Sequence, residues 1–292
     1  MQNDGRERVG IIGLGIIGSR VAELLQKTDR NVYVWNRTPR PVPNFVASAG
    51  ELAQLSKIIQ IFVTDGEALV EVVESMKEHL GKGHVVIAHG TSDPQSVVDA
   101  FQIARDAGAA FLDAPFTGSR DAAEKGALVY YIGGDPAVLD RVRPLLEVSA
   151  KEILPLGRVG EASVLKIATN MISASTMEIL AEAYGLVTAA GIEPRKLEEA
   201  IEHNGCCSPL IRMKLSSVMR QDYEPHFSLQ NMFKDAQYGL GLGKGLGVDL
   251  PNLSITANLI FRSIQKGKGD FDFSVLASNY QATAEKDVDT EG

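Results

Sequence analysis

From Val9 to about Leu156, short runs of β-branched and aliphatic residues alternate with longer stretches whose apolar positions recur every three or four residues. That alternation predicts strands separated by helices, and so a parallel sheet covered by helices. The candidate strands run from Val9 to Ile12, Val32 to Trp35, Ile58 to Val63, Val85 to Ala88, Ala110 to Asp113, Val129 to Ile132 and Glu152 to Leu156. After Gly157 the pattern changes. Apart from turns marked by Gly191, Asn204-Gly205, Pro225 and Pro251, the remainder reads as helices, with no period-two strand and no internal repeat. The expected organisation is an α/β nucleotide-binding domain over residues 1–158, then an all-helical domain over residues 159–292 for substrate binding and oligomerisation. A long helix joins them, and domain seams are where small-molecule sites form.

That helix carries the most telling pair of polar residues. From Ala162 to Ile192 nearly every position is apolar or small, which predicts a helix buried on most of its circumference. Lys166 and Asn170 stand in it four residues apart, so an ammonium and an amide project from one face just beyond the turn at Gly157 and Gly160. A lysine on a helix is ordinarily a solvated surface residue, and a buried one needs a reason.

Composition narrows the class without naming a chemistry. The 292 residues are 45% hydrophobic and 23% charged, as in an ordinary soluble protein long enough for two domains. No apolar run is long enough to span a bilayer, and Met1 to Arg8 lacks the character of a signal or transit peptide, so the expected location is the cytoplasm, with no membrane partner. The net charge of −8 argues against nucleic acid as a partner. Cys206 and Cys207 are adjacent and form neither a disulfide framework nor a zinc site. With no cation close by in the sequence, they read as inert small residues. The five histidines, His79, His84, His89, His203 and His226, show no metal-ligand spacing, so no metal is expected. Glu285 to Gly292 reads as a disordered acidic end.

The first strand runs directly into Gly13-Leu14-Gly15-Ile16-Ile17-Gly18, which opens a helix reaching about Gln26. The glycines permit a tight turn, let a pyrophosphate approach the backbone and let helix and strand pack closely. Inside a strand-helix-strand unit this is the fingerprint of a Rossmann-type dinucleotide site. The second strand ends in Trp35-Asn36-Arg37-Thr38, where an NAD-selective enzyme would carry an acidic residue for the ribose 2′-hydroxyl. Neutral Asn36, the Arg37 guanidinium and the Thr38 hydroxyl would attract a 2′-phosphate instead, so the expected cofactor is NADP(H). Val63 and Thr64, at the carboxyl end of the third strand, are counted with the cofactor contacts.

Taken together in order, the glycine loop, Val34 to Thr38, Thr91 before Pro94, Asp113-Ala-Pro115-Phe-Thr117-Gly118-Ser119, Lys166 with Asn170, and Lys234-Asp235 resemble the β-hydroxyacid dehydrogenase family. The resemblance spans nearly the whole chain and points to its glyoxylate/succinic semialdehyde reductase branch. It implies that Lys166 is the catalytic acid, that Asn170 positions substrate, and that Thr117, Gly118 and Ser119 hold a substrate carboxylate. It also implies that Thr91 and Lys234 touch the nicotinamide half of the cofactor, and that the helical domain builds a homodimer or homotetramer. Three features depart from the family pattern: Pro39, Pro41 and Pro43 where relatives have a helix, Gly90 in place of a serine, and Phe116 with Ser119 in the substrate turn.

The chemistry follows from the groups. Hydride delivery to a carbonyl carbon leaves negative charge on oxygen, which Lys166 can stabilise and then protonate, best if burial lowers its pKa. Asn170 adds a hydrogen bond without charge, and a carboxylate would be gripped by the Thr117 hydroxyl with the Gly118 and Ser119 amides. The expected activity is NADPH-dependent reduction of small carboxylated aldehydes to hydroxy acids. The alternatives are an imine reductase-like enzyme, or a non-catalytic NADPH-binding module.

Overall fold

The strand segments are so uniformly apolar because they are buried on both faces. In the computed structural model, which describes residues 5–280, β1 (Glu7–Ile12), β2 (Arg30–Trp35), β3 (Ile58–Ile61), β4 (Val85–Ala88) and β5 (Ala110–Asp113) form a parallel sheet. Every residue of β3 and β4 is buried, as expected of parallel strands covered on both sides. Neighbouring residues serve opposite cores. Ile11, Val85 and Ile87 face a layer with α1 (Ile16–Gln26), while Ile12, Val86 and Ala88 face α2 (Ala49–Leu55), α3 (Gly66–Met76) and α4 (Pro94–Asp106). The strand order is β2-β1-β3-β4-β5, so the direction of winding reverses beside β1.

The far edge differs from the all-parallel expectation. After β5 the chain makes the two-residue β6 (Phe116–Thr117), the five-residue α5 (Arg120–Glu124) and then β7 (Leu128–Gly134), which runs antiparallel to both β5 and β6. A parallel return needs a crossover of a dozen or more residues carrying a helix that can cover the sheet, and a one-turn helix does not supply one. α6 (Pro136–Leu146) does, and β8 (Ala150–Gly157) accordingly pairs parallel to β7.

The prolines at 39, 41 and 43 carry no helix. The segment instead leads to a parallel bridge at the sheet edge, where Val34 donates its N–H to the Asn44 carbonyl and Val46 donates to the Val34 carbonyl.

The chain divides into two compact units, Met1–Ala168 and Thr169–Gly292, and the division falls within the continuous helix α7 (Glu161–Ala189). The second unit contains the rest of α7 with α8 (Pro194–Glu202), α9 (Pro209–Arg220), α10 (Leu229–Leu246), α11 (Pro251–Ser263) and a closing 3-10 turn at Phe273–Asn279. Its core is built from Met177, Leu180, Leu215, Val218, Met232, Ile260, Phe273 and Leu276. A buried ion pair ties it together: Lys214 Nζ donates to Asp272 Oδ1 at 2.7 Å. Asp272 also accepts from the backbone N–H groups of His226, Phe227 and Ser274 and from the Ser274 hydroxyl.

One expectation for α7 is corrected. Leu165, Ile172, Ile179 and Leu186 are 41% to 73% exposed. They recur every seventh residue and form an apolar stripe along one face. Sequence periodicity reports that a face is apolar and is silent on whether this chain itself covers it. Among the described residues, no helix is long and apolar enough to cross a membrane.

Candidate active site

Five of the sequence motifs stand at carboxyl ends of neighbouring parallel strands, which is where open α/β sheets bind ligands. The glycine loop follows β1, Asn36 to Thr38 follow β2, Val63 and Thr64 follow β3, Thr91 follows β4, and the Ala114 to Ser119 turn follows β5. The loop is shaped by contacts that exclude side chains. Gly13 has φ of 90°, and a Cβ there would lie 2.2 Å from the Phe62 carbonyl oxygen, while one on Gly18 would lie 2.0 Å from the Gly13 carbonyl oxygen. Gly15, between them, has nothing within 4 Å of where its Cβ would be, so the backbone there is open to a ligand.

Gly13, Gly15, Asn36, Arg37, Thr38, Val63 and Thr64 line one cleft of about 800 Å³, together with Trp35 and Phe62. Leu14 and Gly18 are instead packed inward, and Ile16 and Ile17 begin α1. Asn36 joins two of the cleft's edges. Its side-chain oxygen accepts from the Leu14 N–H at 2.9 Å, and its amide nitrogen donates to the Thr38 carbonyl at 2.8 Å. The carboxamide is thus engaged between the loops, and exposed Arg37 and Thr38 are left facing outward. An open Gly15 backbone at the start of a helix fits the pyrophosphate of a dinucleotide.

Gly90 also has a steric reason. A Cβ there would meet the Val63 carbonyl oxygen at 2.5 Å, so the serine of the family pattern does not fit this backbone. Phe116 turns its bulk toward Phe62, with ring centroids 6.3 Å apart, and packs against the sheet core. Ser119 caps α5 by accepting from the Ala122 N–H at 3.4 Å.

In the sequence Asp113 stands out only as part of a motif. In the structure it is buried at the end of β5 and caps α7: its carboxylate accepts from the N–H groups of Gly160 and Ser163 at 2.9 and 3.0 Å and from the Ser163 hydroxyl at 2.7 Å. Burial pushes its pKa up to about 6, against the opposing pull of the Ser163 and Gly160 donors. It therefore remains largely ionised at neutral pH and anchors the first turn of α7, one turn before Lys166. Lys166 is only 8% exposed, which removes it from the class of solvated surface lysines.

In the helical unit, Asn170 is also 8% exposed, and its amide donates to Asp235 Oδ2 at 2.5 Å. Lys234 Nζ lies 2.8 Å from the other Asp235 oxygen and 4.8 Å from the centroid of the Tyr238 ring. Asp235 is 1% exposed, so the Lys234-Asp235 dipeptide is no ordinary surface pair. The shared carboxylate brings together two residues that the sequence singled out separately. Asp235 itself was the missed member, and its only local signal was an acid beside Lys234 in α10. Cys206 and Cys207 are free thiols, and the expectation of no nearby cation is corrected, because Arg212 Nε donates to Cys207 Sγ at 3.1 Å.

Two family models cover almost all of this. The model described as the NAD binding domain of 6-phosphogluconate dehydrogenase matches residues 8–157, and that of the NAD-binding of NADP-dependent 3-hydroxyisobutyrate dehydrogenase matches residues 160–280. The chain belongs to the β-hydroxyacid dehydrogenase family. As a member of it, the protein is an oxidoreductase with a nicotinamide dinucleotide cofactor. It is similar to glyoxylate/succinic semialdehyde reductase 2, chloroplastic, of Arabidopsis thaliana, with 28% identity over 97% of this chain and 82% of that one. It is also similar to 2-hydroxy-3-oxopropionate reductase of Escherichia coli, with 27% identity over 95% and 98%. A 3-hydroxyisobutyrate dehydrogenase structure from Mycobacterium tuberculosis shares the β-hydroxyacid dehydrogenase fold, with a TM-score of 0.86, 22% identity and coverage of 95% of this chain and 100% of that chain.

Proposed function

We propose that the protein is an NADPH-dependent reductase of small carboxylated aldehydes, with glyoxylate and succinic semialdehyde as the leading substrates, and that Lys166 is its general acid. The observation that carries this reading is an ammonium buried to 8% exposure on a helix whose first turn is clamped by the Asp113 carboxylate. When bound, NADPH supplies a hydride to the carbonyl carbon. Lys166 stabilises the negative charge that develops on the carbonyl oxygen and transfers one ammonium proton to it, leaving a neutral amine that is reprotonated from solvent. Asn170, held by Asp235, hydrogen-bonds the substrate oxygen or Lys166 without adding charge. The Thr117 hydroxyl and the Gly118 and Ser119 amides grip the carboxylate, and Thr91 and Lys234 contact the nicotinamide half of the cofactor. The exposed stripe on α7 supports assembly of the helical unit into a homodimer or homotetramer, since an apolar face of that regularity is stable in water when another chain covers it.

The test is NADPH oxidation by the purified protein with glyoxylate, succinic semialdehyde, methylmalonate semialdehyde, tartronate semialdehyde and a cyclic imine. Saturable turnover of an aldehydo acid is expected. Turnover confined to the imine would replace this reading by an imine reductase, and none at all would leave an NADPH-binding module.

Cofactor choice has its own check. NADPH should bind more tightly than NADH, and Arg37→Ala should weaken NADPH roughly tenfold or more, the worth of one charge-assisted contact, while leaving NADH nearly unchanged. Equal affinities of the unaltered protein for the two cofactors would sink the preference.

A further inference from the structure

His89 is the fully buried residue between the end of β4 and Gly90-Thr91, and no step proposed above uses it. Its ring touches several of the segments that carry the candidate site. One face stacks on Phe62, with centroids 4.4 Å apart and planes 14° from parallel. Phe62 in turn supplies the carbonyl against which Gly13 is pressed. Nδ1 lies 2.8 Å from the Ala114 carbonyl, at the start of the Pro115-Phe116-Thr117 turn, and Nε2 lies 2.9 Å from the side chain of Gln60 in β3. Tyr130 closes another side of the ring at 4.8 Å.

We propose that His89 is a positioning residue, a neutral ring that sets the Thr91 turn and the Thr117 turn at a fixed distance from one another. Its tautomer follows from the partners. A carbonyl only accepts, so Nδ1 carries the proton, and Nε2 presents a lone pair that must take a hydrogen bond from the Gln60 amide. The Gln60 amide nitrogen has no partner while its oxygen faces the ring, and turning the carboxamide by half a rotation satisfies both groups. Burial also holds the ring neutral, pushing its pKa down to about 3. A rigid aromatic with one donor and one acceptor fits this position, whereas a flexible apolar side chain would fill the space without setting the distance to Ala114.

The proposal rests on the reductase reading only for its kinetic arm. His89→Phe alone strands Gln60 in the core. The decisive variant is therefore His89→Phe combined with Gln60→Leu, which removes the stranded amide and leaves the Ala114 carbonyl as the one group that loses its His89 donor. In that folded double variant, amide exchange over residues 89–93 and 114–119 should quicken about tenfold, with the helices of the second unit unchanged. The substrate KM should rise about tenfold while the NADPH Kd stays within about threefold. Unaltered exchange in both turns, or an unaltered KM, overturns the positioning role. If the unmodified protein reduces no aldehydo acid, the reductase reading fails instead, and the exchange comparison, which needs no substrate, still decides His89.

Discussion

Lys166→Ala is expected to lower turnover by about 10²- to 10⁴-fold, the range that a general acid contributes, with the NADPH Kd close to that of the unmodified enzyme. The split follows from position. Lys166 lies on α7, whereas the cofactor cleft is lined from the carboxyl ends of β1, β2 and β3. In the proposed mechanism, removal of the ammonium takes away both the charge that stabilises the developing alkoxide and the proton that quenches it. Lys166→Arg separates these roles. A guanidinium keeps the positive charge but gives up a proton only at very high pH, so the Arg variant should bind substrate and remain slow. Steady-state rates, together with NADPH fluorescence titration and a thermal melt, check all three statements. Unchanged kcat in Lys166→Ala removes the proposed acid, and lost NADPH binding would show a structural role instead.

Lys214→Met should destabilise the helical unit by about 3–5 kcal/mol, the cost of leaving one member of a buried pair without its counter-charge. Lys214 and Asp272 are each 2% exposed, and the Lys214 ammonium also lies 4.1 Å from the Phe273 ring centroid, so water cannot replace the lost partner. The four other donors to Asp272 bring the expectation toward the lower end of that range. Burial by itself would push the Asp272 carboxyl up; Lys214 and the Ser274 donors outweigh it and hold it below its usual value. A carboxylate depressed in the folded state contributes stability at neutral pH that is lost as pH falls through its folded pKa. Without Lys214 the buried carboxyl is pushed up instead, and protonation relieves it. The stability gap between the unmodified protein and Lys214→Met should therefore narrow as pH drops from 7 toward about 4. Urea unfolding at pH 7 and pH 4 measures this, and a gap that is absent or independent of pH would contradict it.

The contrast between these two lysines shows what a chain discloses by itself. Lys166 stood out because a charge within an apolar helix breaks a local pattern. Lys214 did not, since its neighbours along α9 look like those of any amphipathic helix, and its partner lies 58 residues further on. The same distinction runs through the candidate site. The strands of the first unit were legible from runs of Val and Ile, and the cofactor loop from the spacing of three glycines after a strand. Those features are local, and a packed sheet rewards them directly. The reversal of β7 was hidden because chain direction depends on how short the connection is, not on the strand's own residues.

What the sequence alone determined is the order of strands and helices, the dinucleotide loop, and the residue types available for acid catalysis and carboxylate binding, because each is written within one turn or one strand of chain. What only the tertiary structure decided is which of those groups are coupled. Asp113 accepts from Gly160, 47 residues later, at the start of α7, Asp235 holds Asn170 across 65 residues, His89 stands between Gln60 and Ala114, and the apolar stripe of α7 is left exposed among the described residues. The physical reason is common to all four. Buried charges and polar groups must find partners wherever the fold brings them, and burial is set by elements that meet in space with no mark of that meeting in the local sequence.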